Sequence, residues 1–332
     1  MSSYLISKIE EDISKEYLNS IIAIKTDKIR NNIIKHLLNR KDKDVVLFLI
    51  QNDMIPKSMS SDLFEFIANN KFLDIFLNLD YSKFDIHANN DNALRRSIVY
   101  GYIDVVKFLI EKGANIHADN DYALRLSSFN GHIELVKFLI EKGANIHAKN
   151  DYALRFSSRY GHIEVVKFLI ENGANIHADY NDALAMSSQY GHVEVVKFLI
   201  EKGANIHADD DRALRWSSLY GHIGVIKVLI EKGANIHADD DYALRWSSSI
   251  GHIKVVKFLV EKGANIHVDN DYALRMSSQN GHIEVAKILL NSDLEYFSKN
   301  QNAIKIVKKY KLSDFYEKFK IDCDAVQILK IS

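Results

Sequence analysis

The sequence repeats itself every 30 residues, and that period restricts the fold more than any other feature. The tripeptide Asn-Ile-His ends at His117, His147, His177, His207, His237 and His267, and Asp-Ile-His at His87 opens the series. Glycine keeps the same step in two registers, one through Gly101, Gly131, Gly161, Gly191, Gly221, Gly251 and Gly281, the other from Gly113 to Gly263. Of 14 glycines only Gly224 lies outside both. A period of this length marks a solenoid, in which a single unit cannot bury its own apolar face and must stack on its neighbours.

Within one unit, residues 121–130 carry a helical pattern with Leu124, Ser127 and Ser128 on one face. A second helix is expected from His132 to Lys142, with Ile133, Val136, Leu139 and Ile140 as its apolar stripe. Gly131 falls in the tight turn between the helices, and Gly143 suits a left-handed terminator. The stretch from Ala144 to Asp151 is too short for a helix and reads as an extended turn. Asp121, Asp151, Asp211, Asp241 and Asp271 are placed to cap the following helices.

Weaker copies extend the array at both ends. Val45–Ile50 matches Val105–Ile110, Phe84–His87 matches Ala114–His117, and Asn302–Lys305 matches Tyr272–Arg275. The expected organisation is an N-terminal helical cap over 1–30, degenerate repeats over 31–90, regular repeats over 91–290, and a degenerate repeat with its cap over 291–332. Only one proline, Pro56, is present, and no Ser/Gly-rich linker interrupts the array.

These residues resemble the ankyrin repeat. Tyr122-Ala-Leu-Arg125 stands where that family has Thr-Pro-Leu-His, and Gly131-His132 matches its turn. Leu135-Val-Lys-Phe-Leu139 matches its second helix, and Gly143-Ala-Asn-Ile-His-Ala148 its ending. The resemblance implies an all-α helix-turn-helix repeat solenoid. The unit is shorter than the family's usual one, and the shortfall lies after His147, which predicts shortened interrepeat hairpins. Short repeats of this wording are similar to those of ankyrin proteins encoded by giant DNA viruses of amoebae, which implies a role inside a host cell.

Composition excludes several functions. The 43 Lys and Arg nearly balance 44 Asp and Glu, so nothing pulls the chain as a whole toward nucleic acid or anionic lipid. The single cysteine, Cys323, can form no internal disulfide and suits a reducing compartment. The N-terminal residues are too charged for a signal peptide, and no apolar run approaches the ~18 residues of a membrane span. An intracellular, cytoplasmic monomer is expected, with no membrane and no nucleic-acid partner.

Thirteen of the 14 histidines occupy two repeat positions, His36 being the exception, so hydrogen bonding between repeats explains them better than metal binding. No metal and no cofactor is expected. Ser127, Ser128, His132 and Glu134 supply the side chains of a hydrolytic triad, but the serines and the histidine recur from unit to unit as stacking positions do, so the chain is not expected to be an enzyme. Arg95, Arg125, Arg155, Arg215, Arg245 and Arg275 each follow an Asp by four residues, which predicts local ion pairs; Ala185 interrupts the series.

Function is expected where the repeats differ. The variable positions preceding the Gly-His turn include Phe129, Arg159, Tyr160, Tyr190 and Tyr220, and a bulky position just before them holds Phe156, Met186, Trp216 and Trp246. All share one face of the first helix and resemble the concave binding surface of ankyrin proteins. Large aromatics on such a face dominate protein interfaces, so the chain is expected to be a protein interaction scaffold that binds a protein partner there. A degradation adaptor working through residues 1–60 or 290–332 is the alternative, although no recruiting motif is evident in either segment.

Overall fold

The computed structural model describes residues 27–319, apart from residues 40, 41, 70, 71 and 81. Most of the expected N-terminal cap, the end of the C-terminal segment and Cys323 lie outside the described residues. Every regular element is helical and no strand occurs among the described residues. The chain divides into two compact units, one ending at Ala153 and the other beginning at Leu154.

The first unit contains α1 (Asp27–Asn39), α2 (Lys43–Gln51), α3 (Ser60–Asn69), α4 (Leu73–Leu77), α5 (Ala88–Val99), α6 (Ile103–Glu111), α7 (Ala118–Phe129) and α8 (Ile133–Glu141). The boundary falls inside α9 (Ala148–Arg159). First helices stack in the order α1, α3, α5, α7, while α4 and α8 pack against α6. The degenerate copies use an aromatic core, with Phe64 5.3 Å from Phe76 and 6.3 Å from Phe84 between ring centroids.

The second unit continues with α10 (Ile163–Glu171), α11 (Ala178–Gln189), α12 (Val193–Glu201), α13 (Ala208–Leu219), α14 (Ile223–Glu231), α15 (Ala238–Ile250), α16 (Ile253–Glu261), α17 (Val268–Gln279) and α18 (Ile283–Ser292). It ends with α19 (Leu294–Lys299) and α20 (Gln301–Lys309). First helices α11, α13, α15 and α17 form one row, which α20 joins by packing on α17; α10, α12, α14, α16 and α18 form the other.

Second helices from α6 to α16 bury three adjacent-turn residues, such as Val165, Val166 and Leu169 in α10, where the flanking Ile163 and Ile170 are half-buried; α18 buries a fourth, Leu290. Leu135 therefore belongs to the core of α8 with Val136 and Leu139, and Ile133 and Ile140 form its margin. First helices bury the Ala-Leu pair and both serines, for example Ala213, Leu214, Ser217 and Ser218. Small residues let neighbouring helices approach closely, which accounts for serine at these positions.

The glycine of the Gly-His turn has two reasons to be glycine. Gly191 has φ +79°, and a Cβ there would come within 2.6 Å of His222 Nδ1 from the next repeat. That ring lies against the turn because its Nε2 donates to the Gln189 carbonyl at 2.8 Å. The same bond joins His192 to Arg159, His252 to Leu219 and His132 to Val99. Each staples one repeat's turn to the carbonyl end of the first helix before it.

Candidate functional site

The first helices are positioned by a short left-handed turn that sequence periodicity did not reveal. Asp119, Asn120 and Asp121 have φ of 49°, 53° and 54°, and the same three positions are left-handed at 149–151, 179–181, 209–211, 239–241 and 269–271. Nearly all of these residues are Asp or Asn, whose short polar side chains tolerate this region best among non-glycine residues. The segment after His147 is thus a turn and not extended, opened by His147 N–H donating to Asn145 Oδ1 at 2.9 Å.

This geometry corrects two expectations about charge. Asp121 does not cap its own helix: its buried carboxylate accepts from His117 Nδ1 at 2.9 Å and from the Asn145 amide of the next repeat at 2.8 Å. Asp211 and Asp241 repeat the arrangement, and Asn181 holds the Asn205 amide in the same way. Nor does Arg125 pair with Asp121. Its guanidinium donates to the Asn120 and Asp119 carbonyls at 3.0 and 2.7 Å, and Arg215, Arg245 and Arg275 grip their own turns likewise. A left-handed turn aims its carbonyls outward together, and the planar guanidinium fork fits two of them.

In the second unit the row of first helices carries the expected aromatic face. Tyr160, Tyr190 and Tyr220 are 40%, 40% and 51% exposed. Phe156, Met186, Trp216 and Trp246 are half-buried. The bulky position is therefore neither core nor free surface. Trp216 lies under the Arg212 guanidinium at 3.9 Å, and Trp246 packs between Tyr242 and Tyr272 at 5.6 and 6.4 Å. Arg159 stands 5.7, 5.5 and 4.8 Å from the rings of Phe156, Tyr160 and Tyr190, and its Nη2 donates to the Tyr190 hydroxyl at 2.6 Å. Phe129 belongs to the first unit, where with Tyr122, Arg125, Leu126 and Tyr152 it lines a hollow of about 190 Å³.

Sequence reasoning missed several rings carried by the first helices of each unit. Tyr122 and Tyr152 sandwich Arg125 at 5.3 and 5.2 Å, and Arg215 and Arg245 stack on Tyr242 and Tyr272. Burial pushes the Tyr242 phenol up, so it stays neutral at physiological pH. The ladder changes at one place, where Asp182 and Arg212 replace tyrosines and Ala185 replaces arginine. Asp182 is buried and ion-paired to Arg155 at 2.9 Å and to Arg212 at 3.0 Å. Tyr180 was also missed: it is left-handed at φ 57° and 78% exposed, at a turn position that the other regular repeats fill with Asn or Asp. Its departure from the repeat was the available signal.

The residues of the paper triad are engaged elsewhere. Ser127 Oγ donates to the Leu124 carbonyl, His132 Nε2 to the Val99 carbonyl, and Glu134 receives Lys137 Nζ. Among the described residues no three His, Cys, Asp or Glu side chains come together as a metal site, and no helix is long and apolar enough to cross a membrane.

Comparison with known proteins agrees with this architecture. The family model "Ankyrin repeats (3 copies)" matches residues 64–150, 117–180, 154–240 and 214–303, overlapping segments that run from 64 to 303. The crystal structure of the human ASB11 ankyrin repeat domain superposes with a TM-score of 0.55 at 22% identity, covering 60% of this chain and 97% of that one. At that identity the likeness speaks for the fold alone. No curated protein matches the sequence. Ankyrin repeats mediate protein–protein interaction and are typically not catalytic. With more than two thirds of its length matched by that model, the chain belongs to the ankyrin repeat family.

Proposed function

We propose that the chain is a binding scaffold whose second unit holds a protein partner on its row of first helices, through Phe156, Arg159, Tyr160, Met186, Tyr190, Trp216, Tyr220 and Trp246. Phe129 occupies the equivalent position on the first unit. One observation carries the reading. Positions that stack between repeats hold the same residues throughout, as Leu154, Leu184, Leu214 and Leu244 do, while the positions that vary lie on one helix face and bring half-exposed rings to it. Stacking leaves those positions free, and aromatic and arginine side chains are the ones that concentrate interface energy.

The neutral overall charge and the local pairing of most arginines on this face favour a protein partner over nucleic acid. The similarity of the short repeats to those of giant-virus ankyrin proteins makes a host-cell protein the partner to seek. The test replaces Trp216, Tyr220 and Trp246 together with alanine. The variant is expected to keep its helical circular dichroism spectrum and to lose capture of the partner retained by the unaltered protein from host-cell lysate. Unchanged capture would remove this face from consideration.

A further inference from the structure

Arg159 differs from every neighbouring arginine of the face in what surrounds it. Arg125, Arg155, Arg212, Arg215 and Arg275 each have a carboxylate within 4.0 Å. Arg245 has no such partner but donates to two carbonyls of its own turn. Arg159 has neither among the described residues. Its guanidinium meets the faces of Phe156, Tyr160 and Tyr190 and one hydroxyl, that of Tyr190, and its buried Nε has no hydrogen-bond partner. It is also an exception in sequence, since the equivalent positions hold Val99, Phe129, Gln189, Leu219, Ser249 and Gln279.

Aromatic faces attract a cation, but they satisfy none of the guanidinium's in-plane N–H donors. The charge is held in place, partly desolvated and without a counterion. Such a group gains from an anion brought by a partner, because the rings beside it and the partner's own surface together displace the water that would weaken the pair. A phosphoryl group carries close to two charges and is ordinarily met by more than one cation. The remaining arginines of this face are already committed. A single free guanidinium fits a monoanion.

We infer that the Arg159 box, resting on the binding face proposed above, receives the side-chain carboxylate of an Asp or Glu in the protein partner, flanked by apolar residues that lie on the Phe156, Tyr160 and Tyr190 rings. Among the described residues the guanidinium spends one of its N–H donors, on the Tyr190 hydroxyl, and a carboxylate accepts from guanidinium donors in pairs. Tyr190 holds the group in place through its hydroxyl.

The experiment selects linear peptides from a randomised display library on the full chain, then measures the affinity of selected peptides by fluorescence anisotropy. The expected result is an Asp or Glu at one fixed place among apolar residues. Replacing that residue with Gln, or making Arg159→Gln, should each weaken binding by about tenfold or more, and the two changes together should weaken it little further. Arg159→Lys should retain part of the affinity, and thermal melts establish that each variant is folded. Selected peptides without an acidic preference, or full affinity in Arg159→Gln, would overturn the inference. So would displacement of the peptides by inorganic phosphate but not by acetate. Trp216→Ala and Trp246→Ala separate the two levels: if they abolish binding while Arg159→Gln does not, only the carboxylate assignment fails. If these variants and Arg159→Gln all leave binding intact, or no peptide that depends on this face is recovered, the face and the carboxylate assignment fail together.

Discussion

Six serines, Ser128, Ser158, Ser188, Ser218, Ser248 and Ser278, have buried hydroxyls with no hydrogen-bond partner. The cause is local. In α11 the Leu184 carbonyl receives the helix's own bond from the Ser188 amide, and the Ser187 hydroxyl takes its remaining lone pair at 3.0 Å. Both lone pairs of the carbonyl one turn before Ser188 are then taken, and the Ser188 hydroxyl has no acceptor. An unmet buried hydroxyl costs about 1–3 kcal/mol, and alanine has the higher helix propensity by roughly 0.5 kcal/mol. Losing one small side chain's contacts offsets part of this, so Ser188→Ala should stabilise the protein by about 1 kcal/mol. Adding Ser218→Ala and Ser248→Ala, each one repeat further on, should bring the gain to about 3 kcal/mol, since sites roughly 10 Å apart without shared partners add. Urea unfolding followed by circular dichroism reads this as a higher midpoint at unchanged slope. A lower midpoint for any of the single variants would refute the reasoning, because it would mean that the hydroxyl contributes a bond the geometry denies.

Asp241→Asn should be nearly neutral, because Asn181 naturally holds the equivalent amide, whereas Asp241→Ala leaves the Asn265 amide without an acceptor and should cost about 1–3 kcal/mol in urea unfolding. Tyr180→Asn relieves a left-handed aromatic residue and should raise stability by up to about 1 kcal/mol, a gain that a thermal melt detects. Burial, opposed by the bond to the Arg159 carbonyl and reinforced by the charges of His162 and His222, holds the His192 imidazole below its ordinary pKa. The unfolded chain therefore takes up the proton first, so this contribution to stability is complete above about pH 6.5 and declines as pH falls through that value toward the folded-state pKa. Urea midpoints at several pH values should fall on acidification, and His192→Gln should fall less steeply.

The period, the helix pairs and the two glycine registers were legible because stacking imposes one residue type at one position. Gly191 and His222 are a single device seen twice in the sequence, once as each partner. The roles of Asp121 and Arg125 were misread for a physical reason. The four-residue rule for an Asp and an Arg assumes that both lie in one right-handed helix, whereas Asp121 is the last of three left-handed residues and its carboxylate is taken by His117 and by the Asn145 amide. What replaced the expected ion pair, a guanidinium on backbone carbonyls, involves atoms that every residue possesses and no sequence distinguishes. The variable aromatic positions were legible as exceptions, and Trp216 and Trp246 do lie on the first-helix face. Their half-burial was not legible, since it depends on the Arg212, Tyr242 and Tyr272 side chains that lie against them. Tyr180 followed the same rule of exception but sat in a turn rather than on a helix.

Hydroxyl-radical footprinting of the second unit, with and without its protein partner, tests the central claim most directly. The partner should protect Tyr190, Trp216, Tyr220 and Trp246 from oxidation and leave Phe168, Phe198 and Phe258 on the second helices unchanged. Protection of those phenylalanines with undiminished oxidation of Trp216 and Trp246 would contradict it.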